Sequence, residues 1–252
     1  MLTHPVRLVS LVPCITYTLL RLGGADRLVG ATRYCPLAGN ALPRGRRELP
    51  SAPFAAEVGG IHDIGFDLLA SLTPDLVLAD PDENGRANLE RLAREFPLER
   101  VQVRSVEDSL SFLGRMGSLL GAEEAAGELV RRFLRPTAPL GEIPLLPSRR
   151  SVAALVWKDP WIAAGAGTYA SAILEHRGQR NCVTQPGYPQ VGLADLLSLR
   201  PDVVLLPSEP YDFTSRDEDD LRALFQAAGT VVERVDGRDL VWYGAWMAEA
   251  YR

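Results

Sequence analysis

The ten residues SLTPDLVLAD at 71–80 return 127 positions later as SLRPDVVLLP at 198–207. The two copies agree at Ser, Leu, Pro, Asp, Val and Leu. Each follows a short apolar stretch of helical character, and each runs into an acidic loop, PDEN at 81–84 and SEP at 208–210. A proline ahead of an aspartate turns the chain out of a helix. The unbroken apolar run behind it fits a strand buried on both faces of a parallel sheet. A chain that uses this unit twice is expected to fold as two similar α/β halves.

The remaining pattern fits. VRLVSLV (6–12) reads as a first strand, Pro13 as a first-turn helix residue and Gly23-Gly24 as the helix stop. Leu28–Thr32 is a second strand, followed by a polar loop rich in Pro, Gly and Arg to about residue 58. Helix FDLLASL, strand LVLAD, helix ENGRANLERLAREF and strand ERVQVRS continue the alternation, which implies parallel organisation. Residues 105–135 read as nearly continuous helix, weakened by Gly114, Gly117 and Gly121, with two helices or a kink expected near Gly121. A stiff proline-rich linker follows. The second half repeats the theme: strand SVAALVW, a helix capped by Thr168, helix LADLLSL, strand PDVVLLPSE, helix EDDLRALFQAAG, strand TVVERVD and a closing helix YGAWMAEAYR. Residues 1–104 are expected to form the first lobe, 105–140 the connecting helix and linker, and 141–252 the second lobe.

Composition narrows the function. At 252 residues the chain is long enough for two modest lobes. A net charge of −5 gives no basic face for nucleic acid, and the runs RGRR (44–47) and RDEDD (216–220) read as solvated loop or helix start. Cys14, Cys35 and Cys182 are too scattered for a disulfide framework or a zinc knuckle, so reduced thiols are expected. The apolar stretch Leu8–Leu20 is too short for a membrane span and lacks the basic start and small-residue cleavage site of a signal peptide. As given, the chain reads as cytoplasmic, without membrane insertion and monomeric; an export signal upstream would make it periplasmic or cell-surface.

In open α/β sheets ligands sit beyond the carboxyl ends of the strands. Two facing lobes would offer a cleft lined by Pro13 and Cys14, Tyr34 and Cys35, Asp82, Glu83 and Asn84 from the first. From the second would come Trp157 and Trp161, Glu209 with Tyr211 and Phe213, Trp242 with Tyr243, and Tyr188. All four tryptophans lie in the second half, and flat rings with a few polar tips suit a large, partly planar ligand. The candidate ligand contacts are Tyr34, Cys35, Glu83, Asn84, Trp157, Trp161, Tyr188, Glu209, Trp242 and Tyr243, the rings supplying affinity and the polar groups orientation.

RLVSLVPCITYTLLRLGGADRLVGATRYC, LASLTPDLVLAD, the central helix and GTYASAILEHRGQRNCV together resemble the helical-backbone substrate-binding proteins. These are the vitamin B12-binding, iron-siderophore-binding and haem-binding receptors of ABC importers. DENGRANLERL, WKDPWIAAG, SEPYDF and WYG resemble a branch of that family that often lacks an export signal. The resemblance implies a class III periplasmic-binding-protein fold, two Rossmann-like lobes with central parallel sheets joined by a rigid helical backbone. It also implies non-enzymatic binding of cobalamin, haem or a ferric siderophore in the inter-lobe cleft, no intrinsic cofactor, and an ABC permease as partner. Docking on a permease would use a glutamate of each lobe. Glu57 or Glu48 could serve in the first, whereas GQRNCVTQPGYPQV in the second has no acidic residue. The rival expectation is a cytosolic enzyme or ligand sensor that keeps the fold.

Other chemistry is weakly supported. His4, His62 and His176 are scattered, so no metal centre is expected, the least remote grouping being His62 with Cys35 and Glu83. GAGTYAS at 165–171 lacks the third glycine and the acidic residue of a dinucleotide fingerprint, and Thr168 reads as a helix cap. Neither Cys14 nor Cys35 has a histidine nearby to act as base, so no catalytic residue is expected.

Overall fold

The structure is a computed structural model that describes residues 6–36, 52, 55–135 and 149–250. Glu48, the RGRR run, His4 and most of the proline-rich linker lie outside the described residues.

The first half alternates β1 (Leu8–Ser10), α1 (Pro13–Arg21), β2 (Leu28–Ala31), β3 (Ala56–Glu57), α2 (Phe66–Ser71), β4 (Leu76–Ala79), α3 (Pro81–Asn84), α4 (Arg86–Glu95) and β5 (Leu98–Arg100). Two helices follow, α5 (Val106–Leu120) and α6 (Glu123–Phe133). The strands form one parallel sheet in the order β3-β2-β1-β4-β5. β1 and β4, inner strands of the sheet, are buried along their length or nearly so, as strands of parallel sheets are. β5 begins one residue before the expected ERVQVRS segment and ends at Arg100, and β3 lies in the stretch read as polar loop.

The second half runs β6 (Ser151–Trp157), β7 (Ile162–Ala163), α7 (Tyr169–His176), β8 (Arg180–Asn181), α8 (Leu193–Ser198), β9 (Val203–Pro207), α9 (Ser215–Phe225), β10 (Val231–Val235), α10 (Arg238–Val241) and α11 (Ala245–Ala250). β10, β9, β6 and β8 pair in parallel, and β7 returns antiparallel along β6. β7 and β8 are two residues each, too short for any period to show in the sequence.

The repeated decapeptide builds the same junction twice. After α2, Thr73 has φ +45°, and after α8, Arg200 has φ +47°. Pro74 and Pro201 are buried at the turns. The Asp75 carboxylate then accepts the Val6 and Arg7 amides at 2.8 and 2.9 Å, at the entry to β1. The Asp202 carboxylate accepts the Ser151 amide at 2.7 Å, at the start of β6.

The chain divides into two compact units. One takes in the chain to Val103, then Asp108–Pro136 and Tyr243–Glu249; the other holds Arg104–Glu107, Thr137–Trp242 and Ala250 onward. The helical stretch breaks at Gly121, whose φ of +67° is a left-handed conformation that side chains resist, so α5 ends there and α6 begins two residues on. The closing segment, expected in the second lobe, belongs to the first unit. Trp246 is fully buried with its ring edge-on to Tyr17 at 5.3 Å. The Gly244 and Ala245 amides donate to the Ser109 and Thr18 hydroxyls at 2.8 and 3.1 Å. Glu249 accepts from Tyr17 and Arg21. An apolar helix goes where apolar surface is offered, and local sequence does not say where that is.

Candidate functional site

Each sheet has a point where successive connections leave in opposite directions, and a crevice opens beyond the strand ends there. In the first sheet this point lies between β1 and β4, so Val12–Cys14 and Asp80–Asn84 flank it. Polar side chains of the protein occupy it. The Asn84 amide nitrogen donates to the Leu11 and Ile61 carbonyls, each at 3.2 Å, and its oxygen accepts the Asp80 amide at 2.9 Å. Asp80 caps α3 by accepting the Asp82 amide at 2.8 Å and also accepts the Tyr243 hydroxyl at 2.9 Å. Tyr243 stands edge-on to Phe112 at 5.3 Å.

Burial, reinforced by the negative charges of Asp80 and Glu83, pushes the Cys14 thiol well up, and burial pushes the Tyr243 phenol up as well. The Cys35 sulfur is buried between the Thr16 and Thr32 hydroxyls at 3.0 and 3.2 Å, and its own pKa is raised by burial. Cys35, Asn84 and Tyr243 are therefore spent on internal contacts. Tyr34 is exposed at 59%, and Glu83 is half-buried on α3. Beside Tyr34, Arg33 pairs with Glu57 at 3.3 Å and Asp63 at 3.1 Å.

In the second sheet the connections diverge between β6 and β9, and the flanking loops are Lys158–Trp161 and Ser208–Thr214. Here the residues are aromatic and in mutual contact. Trp157 meets Tyr211 edge-on at 5.4 Å, Tyr211 tilts against Phe213 at 4.8 Å, and Phe213 lies parallel to Trp161 at 6.2 Å with 2° between planes. Phe213 is buried, Trp161 and Tyr211 pack on the core below, and Trp157 is 42% exposed.

The loop carrying Tyr188 is held beside them. The Ala163 amide donates to the Pro189 carbonyl at 3.1 Å, the Gly165 amide to Gly187 at 2.8 Å and the Val191 amide to Trp161 at 3.0 Å. Tyr188 itself is 44% exposed.

An ion pair clamps the two aromatic loops. Lys158, next to Trp157, binds the Asp217 carboxylate and stands 5.7 Å over the Trp161 ring. Asp217 closes a capping box with Thr214, next to Phe213, accepting its amide at 2.8 Å and its hydroxyl at 2.7 Å. The Lys158 hydrogen bond, foremost, holds the Asp217 carboxyl down to about 2.

Trp242 and Glu209 use each other, the indole N–H donating to the carboxylate at 2.8 Å, with Trp242 buried. Burial pushes the Glu209 carboxyl up, and the indole donor offsets part of that. Thr168 is the cap of α7, donating to the Gly165 carbonyl at 2.8 Å and accepting the Ser171 amide at 3.1 Å.

Of the ten candidates the second unit thus gathers Trp157, Trp161 and Tyr188, and pairs Glu209 with Trp242. Tyr211 and Phe213, placed at strand ends from sequence but left off the candidate list, complete the aromatic set; SEPYDF behind a buried strand was their signal. Lys158 and Asp217 were missed, since a partner 59 residues away leaves no local trace. Among the described residues, no group of three or more His, Cys, Asp or Glu side chains is placed to hold a metal ion, and none of the helices is long and apolar enough to cross a membrane.

The model of a family described as periplasmic binding protein matches residues 8–224. The chain belongs to the periplasmic binding protein family. Members of this periplasmic binding protein family are non-enzymatic substrate-binding proteins. No curated protein matches the chain by sequence.

Solved structures agree in fold. The periplasmic vitamin B12 binding protein BtuF of Vibrio cholerae aligns with a TM-score of 0.76 at 18% identity, covering 98% of this chain and 94% of that one. The periplasmic heme binding protein HutB of Vibrio cholerae gives 0.71 at 19%, covering 99% and 96%. A possible iron-binding periplasmic solute-binding protein of Staphylococcus epidermidis gives 0.69 at 18%, covering 99% and 96%.

Proposed function

We propose that this chain binds a large, partly planar ligand of the cobalamin or iron-chelate kind on the aromatic rings of its second unit. The observation that carries the proposal is the contiguous ladder Trp157–Tyr211–Phe213–Trp161 at the divergence point of that sheet. In a soluble core such rings would be covered, yet Trp157 and Tyr188 stand 42% and 44% exposed. Ring faces supply apolar area with little side-chain entropy to lose on binding. The vitamin B12 binding, heme binding and possible iron-binding proteins that share the fold support this ligand class. As a family member the chain would pass its ligand to an ABC permease outside the cytoplasmic membrane.

Titration of intrinsic tryptophan fluorescence with cyanocobalamin, haemin and ferric hydroxamates tests the ligand class. Quenching that saturates is expected for at least one, and Trp157→Ala should weaken it about five- to tenfold, the loss of one stacking face. No quenching at tens of micromolar by any of them overturns the proposal.

A further inference from the structure

We infer that Asp217 is a specificity-determining residue that turns the aromatic ladder against anionic ligands, by holding in an ion pair the lysine that stands beside the rings. The inference rests on the ligand-binding role proposed above and adds the charge of the ligand to it.

Three observations lead there. Lys158 follows Trp157 directly and lies over Trp161, the position from which an ammonium would meet a ligand carboxylate or catecholate stacked on the rings. Its charge is already engaged, for Asp217 is buried, fixed by the Thr214 amide and hydroxyl, and bonded to Lys158. Arg238, the first residue of α10, is buried and doubly bonded to Asp236 at 2.8 and 2.6 Å.

Asp159 and Asp212 stand exposed in the same loops as the rings. An anion stacking here would give up its hydration and meet carboxylates, with Lys158 and Arg238 each already paired. A ligand whose rim carries amide N–H donors or a positive charge would meet acceptors instead. The rim therefore favours neutral, amide-rich corrinoids or cationic ferric hydroxamates over haem, with its two propionates, and over ferric tris-catecholates.

The test is a set of fluorescence titrations with four probes of graded charge: cationic ferrioxamine B, neutral cyanocobalamin, haemin and a trianionic ferric tris-catecholate. The wild type should bind one of the first two at least about tenfold more tightly than either anion, a margin that shrinks in high salt as charges are screened. Lys158→Gln loosens the two ring-bearing loops for every ligand, so it should change haemin and cyanocobalamin affinity by the same factor to within about twofold, because an occupied lysine contributes no anchor particular to an anion. Asp217→Asn should raise haemin affinity about fivefold or more by releasing Lys158, and Lys158→Gln in that background should cancel the gain.

Asp217 also caps α9, so Asp159→Lys with Asp212→Lys, both at exposed positions, gives an independent test and should likewise raise anion affinity. Tightest binding of haemin or the tris-catecholate by the wild type, or a loss of haemin affinity in Lys158→Gln at least about fivefold larger than that of cyanocobalamin, overturns the inference while leaving the binding role intact. Silence from all four probes overturns the binding role itself.

Discussion

Asp75 and Asp202 stand 127 residues apart and do the same thing, each accepting backbone N–H groups where the central strand of its own unit begins. The aspartate of the repeated Pro-Asp junction is thus a tie between the turn and the neighbouring strand, and this function requires a carboxylate in both copies. Asp75→Ala should free the Val6 and Arg7 amides to exchange, and Asp202→Ala the Ser151 amide, each lowering the urea midpoint. Amide hydrogen exchange read by NMR or mass spectrometry checks the assignment; unchanged protection at Ser151 in Asp202→Ala would contradict it. The two amide donors hold the Asp75 carboxyl below its ordinary range. Its contribution is therefore complete above the unfolded carboxyl pKa, near about 3.9, and fades as pH falls through the lower folded value.

The Lys158–Asp217 pair sets a wider pH window. The Asp217 carboxyl lies at about 2 in the folded protein, so its contribution is present above the unfolded value near about 3.9 and is lost as pH falls toward 2. Lys158 is shifted up, chiefly by its bond to Asp217, so its share is present below the unfolded lysine value near about 10.4 and is lost as pH rises through the higher folded value. Urea midpoints should be flat between these limits and fall outside them. Asp217→Asn should flatten the acid limb, and Lys158→Gln the alkaline one.

The closing helix is structural. Trp246 is fully buried, and its removal in Trp246→Ala should cost about 3–5 kcal/mol, the usual loss for a buried ring. Gly244 has φ +73° and an added Cβ would stand 2.4 Å from the Thr18 hydroxyl, so Gly244→Ala should destabilise comparably while keeping Trp246. Both are read by urea denaturation followed through tryptophan fluorescence. A wild-type midpoint in either would mean that the segment is dispensable to the first unit.

The three cysteines are buried and form no disulfide, and burial raises the pKa of each thiol. A thiol that is inaccessible and protonated is a poor nucleophile. Ellman's reagent at mildly alkaline pH should therefore titrate none of the three quickly in the native protein and all three in guanidinium. A fast native reaction at one of them would mark a thiol in use.

Much was legible in the linear sequence because it depends on neighbours along the chain. The alternation of strand and helix, the helix break at Gly121, the Pro-Asp turns and the duplication all follow from backbone preferences and burial periods that act over a few residues. So did the family, the placing of Trp157 and Trp161 at the end of a strand, and that of Tyr188 in a loop.

What only the tertiary structure decided are the partners. Asn84 and Tyr243 stood at the right place for a ligand, but their polar groups were taken by Leu11, Ile61 and Asp80. Trp242 was taken by Glu209, and α11 by the first unit. Lys158 reads as an available cation until Asp217, 59 residues on, is seen to hold it. Hydrogen-bonding capacity and apolar area are properties of a residue, whereas who satisfies them depends on which segments the folded chain brings within a few ångströms of one another.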